Sequence, residues 1–260
     1  MAVDLLPKLR ATGVGSLPHA DPDGALNLVF GAFPEMPHWP QLPKVEPSEG
    51  FTQQYLAPLA RSGLVYLEDN GRAYFDTLQP NWVEKATSFV EGYMNAAVGD
   101  EGARSLFAFP LRAARGFYAF VEAVREGRAA SALLLKGQVS GPVSVGLQVT
   151  DQALKPCFYD DDLRDLLTRA VEAHAAWQAR SLAALGRPAM VFVDEPGLYA
   201  YGQSTFVGLQ KEPIAASLDA VFAAIEGEGG LPGAHVCARA DWSILFGSRA
   251  RVVDFDAYGY

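Results

Sequence analysis

Apolar and polar positions along the chain switch between two periods, and that switching predicts an α/β protein. In "DPDGALNLVFGAF", Ala25, Leu26, Val29, Phe30 and Phe33 recur at helical spacing behind Asp21 and Pro22, which predicts a helix with Asp21 as its N-cap. Trp82, Ala86, Phe89, Val90, Tyr93 and Ala97 predict a second helix over 82–97, and Phe117, Phe120, Val121 and Val124 a third over 113–126. "DDDLRDLLTRAVEAHAAWQARSLAALG" and "EPIAASLDAVFAAIEGEGG" predict two longer ones, and "DWSILFG" a short one. Asp160, Asp161 and Asp162 stand where carboxylates favour a helix start. Between the helices lie short apolar runs that predict seven strands, near residues 12, 40, 106, 134, 191, 235 and 253. The run "SALLLKGQVSGP" is nearly continuous, as a strand buried on both faces should be. Two alternating runs around Asn70-Gly71 predict a hairpin near 63–76, an excursion from the main pattern.

Strands alternating with helices imply a parallel sheet with right-handed crossovers. With 260 residues, half of them apolar, the chain has material for one large core. The expectation is one domain over 1–260, an α/β fold of (β/α)8 TIM-barrel type. Seven strands against the eight a closed barrel needs leave it one strand short at the C-terminus.

Net charge narrows the partners. At −9, with no Lys/Arg cluster, the chain lacks the basic footprint that nucleic acid or an anionic membrane requires. No apolar run approaches the roughly 18 to 20 residues of a membrane span, and "MAVDLLPKLRATG" carries no secretory pattern. A soluble, cytoplasmic protein with small-molecule or protein partners is expected, and Cys157 and Cys237 are expected as free thiols or ligands.

Chemistry concentrates at strand ends. In "GAHVCARADW" a strand puts His235 and Cys237 on one face, and in a barrel that face points to the mouth where active sites sit. Both are good zinc donors, and the spacing alone leaves open a zinc half-site or two packed strand residues. In "RVVDFDAY", Asp254 and Asp256 share a face by the same rule; they either bind something or pair with Arg239, Arg249 or Arg251. Asp256 is the candidate third metal ligand. "VFVDEPG" ends a strand in adjacent acids: Asp194 can hold a substrate amine, and Glu195 can contact substrate or cap the next turn. His174 follows an apolar helix face and reads as a core histidine. Pro18 in "GVGSLPH" removes the third glycine of a dinucleotide loop, and neither a phosphate-binding P-loop nor a G-x-S-x-G elbow occurs.

Taken in order, "GVGSLPH", "WPQLP", "KGQVSGPVS", "VDEPGL", "HVCARADW" and "VVDFDAY" resemble the superfamily of cobalamin-independent methionine synthase and uroporphyrinogen decarboxylase, and within it the short methionine-synthase-like proteins. The resemblance implies a (β/α)8 barrel. It also implies a zinc-dependent methyltransferase, in which zinc activates a thiol substrate, with homocysteine favoured, for attack on a methyl carried by a folate or a corrinoid protein. By that resemblance His235 and Cys237 are metal ligands, Asp256 stands for the family's glutamate ligand, and the family's last cysteine ligand would lie past Tyr260. Ser16 and Asp194 contact the amino-acid substrate, so Asp194 and Asp256 are the candidate catalytic acids. Where the relatives carry Gly-Asn, this chain has Ala238-Arg239. The superfamily allows two alternatives: a metal-free, decarboxylase-like enzyme for tetrapyrrole carboxylates, which needs cations such as Arg112, Arg115 and Arg239 in the mouth, and a non-catalytic binding barrel.

Overall fold

Side-chain parity along the strands sorts the protein into a large core and a small one. The computed structural model describes residues 9–68 and 70–259; residues 1–8, which hold most of the stretch read for a secretory pattern, lie outside it. Its strands are β1 (Val65–Leu67), β2 (Ala73–Phe75), β3 (Leu135–Ser140), β4 (Thr150–Asp151), β5 (Ala189–Asp194), β6 (Leu231–Val236) and β7 (Val252–Phe255). The main sheet runs β3-β5-β6-β7, parallel throughout. Two isolated parallel bridges extend it past β3, His38 to Lys136 and then Ser16 to Gln41, so six chain segments lie side by side.

Leu135 and Val139 of β3, Val191 and Val193 of β5, and Ala234 and Val236 of β6 belong to the large core. Helix Asp161–Ala183 covers that side, burying Leu163, Leu167, Val171, Ala175 and Leu182. Each such aliphatic side chain contributes about 1.5–3 kcal/mol on leaving water. The helix begins where expected, because Asp160 accepts hydrogen bonds from the Asp162 and Leu163 amides, both at 3.1 Å. The alternate strand positions, Met190 and Phe192 of β5, join Met36, Leu134, Leu231 and Val252 in the small core on the other side.

The sheet curls. Lys136 Nζ reaches across the intervening segment to the Val14 carbonyl, 2.6 Å away. Gly15, at φ +147°, lies so close to β3 that a Cβ there would sit 2.5 Å from Gln138 Cδ. Position 15 thus needs glycine on both conformational and steric grounds.

Among the described residues the curl does not close into an eight-stranded barrel. The strands expected near 12 and 40 shrink to single bridges, since Pro37 and Pro40 offer no amide donor and Gly15 leaves the extended region. The strand expected near 106 is absent: the Asp100 carboxylate caps the Ala103 amide at 2.7 Å and starts helix Glu101–Ser105, which runs into a turn. The hairpin near 63–76 forms as β1 and β2, with Asn70 Oδ1 accepting from the Arg72 amide at 2.8 Å. Strand β4, not expected from the pattern, joins β2 in parallel.

Candidate functional site

Strand register assembles a polar row that no single motif contains. Ser140 lies opposite Asp194, Asp194 opposite His235, and His235 opposite Asp254, so four neighbouring strands present polar side chains at one level near their C-terminal ends. One step below come Gln138, Phe192, Gly233 and Val252, and below those Lys136, Met190 and Leu231. The polar row therefore stands over a floor that is apolar on β5, β6 and β7 and polar on β3, where Gln138 and Lys136 lie. C-terminal strand ends of a parallel sheet are where such folds bind ligands.

Within the row each group has a different status. Ser140 Oγ donates to the Phe51 carbonyl. His235 Nδ1 lies 2.8 Å from Asp254 Oδ2, and that hydrogen bond is the main reason the Asp254 carboxyl is held below its usual range. With Nδ1 as donor, Nε2 is left as the acceptor. Asp194 has no such support: its Oδ1 is sealed from solvent and accepts no hydrogen bond. Burial pushes its carboxyl up to about 6, against the pull of Lys136 and His235. Gln138, beneath Ser140, donates to the Trp39 carbonyl at 3.1 Å, but its buried Oε1 also has no partner. Lys136 is fully buried, with its ammonium 4.7 Å from the Phe192 ring centroid. Desolvation lowers it to about 8, opposed by Asp194 and Asp254.

Glu195 follows Asp194 in sequence but faces elsewhere. It is fully buried and accepts hydrogen bonds from the amides of Val143 (3.0 Å) and Ser144 (2.6 Å) and from Ser144 Oγ. Both oxygens are committed to the start of helix Pro142–Gln148, and burial holds the carboxyl up to about 7. Gly141 makes room for it, since a Cβ there would lie 2.1 Å from Glu195 Oε2. The cap expected on the next turn is not formed, since Glu195 makes no side-chain cap to Pro196–Ala200; the amides it holds start a helix 52 and 51 residues earlier.

Ser16 is exposed and sits opposite Gln41, outside the paired strands. Cys237 is exposed, one residue past the end of β6. Asp256, one residue past β7, is exposed and turns its Oδ1 onto the Tyr258 and Gly259 amides at 3.0 and 2.9 Å. Among the described residues no three His, Cys, Asp or Glu side chains converge closely enough to hold a metal ion. The His235, Cys237 and Asp256 set expected for zinc is not gathered among the described residues. Register explains the difference: His235 lies opposite Asp254, which satisfies the ring, while Cys237 and Asp256 fall beyond the paired strands.

Two of the three expected arginine partners of the strand-end acids are engaged elsewhere, Arg249 with Glu226 at 2.7 Å and Arg251 with the same residue at 3.5 Å. Cys157 is buried, its Sγ 3.5 Å from the Gly146 carbonyl, and desolvation raises its thiol well above the usual range. His174 is a core residue, bonded through Nδ1 to the Phe107 carbonyl at 2.7 Å and held down to about 4 by burial. The motif reading missed Lys136, Gln138 and Ser140. Their signal was present as three polar residues at alternate positions in a strand otherwise buried on both faces. Among the described residues no helix is long and apolar enough to cross a membrane. No protein-family model, curated protein or solved structure matches the chain, which leaves this geometry as the basis for any functional reading.

Proposed function

We propose that the polar row is the binding site for a small amino-acid-like molecule whose ammonium group is taken by Asp194. The observation that carries this is the Asp194 carboxylate itself: desolvated by burial, inside the row, with a sealed oxygen that no protein donor reaches. An unsatisfied buried acceptor costs about 1–3 kcal/mol, and a charge-assisted bond to an ammonium offsets that cost. In this reading the six-segment curled sheet is a sector of a (β/α)8-type barrel, and the row lines its mouth.

The narrower form, drawn from the motif resemblance, is methyl transfer to the thiol of such a molecule, with homocysteine favoured. The C–S bond forms as the donor's methyl bond breaks, and the thiol proton has to leave. His235, oriented through Nδ1 by Asp254, is the base available in the row for that proton. No step is drawn through zinc, because the expected ligands do not assemble. That same observation favours a second reading, a non-catalytic barrel that binds the amino acid alone. A tetrapyrrole carboxylate fits less well, since the row carries two acids and its nearest cation is fully buried.

Calorimetry with L-homocysteine and L-methionine, each against its N-acetyl form, tests the binding claim. The free amines should bind about 30-fold more tightly, and Asp194→Asn should abolish the difference. Equal affinity for free and acetylated forms in the native protein would overturn the reading. Product analysis with a folate or methylcorrinoid donor then separates methyltransferase from binder.

A further inference from the structure

Lys136 is used by none of the above, yet its placement needs a reason. A fully buried lysine costs several kcal/mol of desolvation, and an apolar residue of similar length is often as stable or more so. This one has no ion pair among the described residues; its ammonium has the Val14 carbonyl at 2.6 Å and the Phe192 ring. The charged and titratable groups that face it are His38 on the neighbouring segment, Asp194 on β5 and Asp254 on β7. His235 also faces Asp194. It is therefore a fixed internal cation under an acidic row, tied to the segment that carries Gly15 and Ser16.

We propose that Lys136 is the positioning residue of the mouth: anchored on the Val14 carbonyl and lying on the Phe192 ring beneath Asp194, its buried ammonium is the internal counter-charge of the acidic row and holds the Gly15–Ser16 segment against β3. The proposal rests on the ammonium-binding reading for its functional meaning, though not for its test. Its consequence runs against simple Coulomb expectation. Removing a cation near a cation-binding site should tighten binding, whereas here it should weaken binding modestly at neutral pH, because about half of the Asp194 carboxyls would take up a proton.

The test compares native protein with Lys136→Met and Lys136→Gln, with thermal unfolding used to verify the fold. In ligand-free protein with 13C-carboxyl-labelled aspartate, the Asp194 signal should titrate about one pH unit higher in either variant. Affinity for L-methionine at pH 7 should fall about twofold, as the ionised fraction of Asp194 drops to about half, and recover by about pH 8. A second route leaves the lysine in place: in Asp194→Asn the Lys136 ammonium, followed by 15N NMR, should titrate lower than in native protein, since the coupling is reciprocal. An unchanged Asp194 midpoint in a folded variant, or an unchanged Lys136 midpoint in Asp194→Asn, would overturn the proposal. If native protein binds no amine while the midpoints move as stated, the ammonium reading fails and Lys136 keeps its role in setting the charge of Asp194.

Discussion

The two sides of the main sheet treat polar groups in a dry interior differently, although each leaves buried atoms without a partner, His174 Nε2 on the helix-covered side and Gln138 Oε1 and Asp194 Oδ1 on the other. On the helix-covered side Gln178 accepts from Trp39 Nε1 at 2.9 Å and donates to the Gln138 carbonyl at 2.9 Å, so both ends of its amide are used. Tyr55 donates to that same carbonyl at 3.2 Å. On the other side Gln138 Oε1 and Asp194 Oδ1 stand without donors. Adjacent acids divide along this line: Glu195 accepts three hydrogen bonds and holds a helix start, while Asp194 accepts none at its sealed oxygen. Satisfied buried polar groups rigidify a fold, and unsatisfied ones mark where a ligand can complete it.

Substitutions can break that contrast, beginning with the largest effect. Glu195→Ala strips partners from two buried amides and a hydroxyl and should cost about 3 kcal/mol in urea unfolding. A loss under about 1 kcal/mol would remove the structural half of the comparison. Gln178→Leu strands the Trp39 indole N–H and should cost roughly 2 kcal/mol by the same measurement. Asp194→Asn should act with the opposite sign, stabilising by about 1 kcal/mol at pH 8 after allowance for its partial exposure.

The pH dependence of that gain follows from the Asp194 shift. Between 3.8, the ordinary value, and about 6, the folded protein keeps a proton that the unfolded chain has released. Stability therefore falls as pH rises through this window, and the advantage of Asp194→Asn should appear across it and vanish below it. His38 and His174, both held down to about 4, run the other way and lose stability on acidification between 6.5 and 4. The difference between variant and native protein cancels their contribution. Smallest of all, Cys237→Ser should change stability by less than about 0.5 kcal/mol and L-methionine affinity by less than about twofold, since the thiol is exposed and the zinc set is not gathered. A larger effect on binding would bring Cys237 back into the site.

Local chemistry alone determined much of this protein. Asp21 caps helix Pro22–Ala32, Asp160 caps helix Asp161–Ala183, and helix Trp82–Ala97 has the bounds its periodicity predicts, because caps and 3.6-residue spacing are short-range effects. The parallel arrangement of the strands near 134, 191, 235 and 253 was legible for the same reason. The strand face expected to carry both His235 and Cys237 carries only His235, because β6 ends at Val236. Only the tertiary structure decided which residues on different strands stand opposite one another. Register sets His235 against Asp254 rather than Asp256, and it brings Ser140 and Asp194 into the same row. That choice depends on crossover lengths and on how the sheet curls, neither of which is written in any one strand. The same holds for Lys136, whose ammonium reaches the Val14 carbonyl only because residues 122 positions apart meet on the curled face.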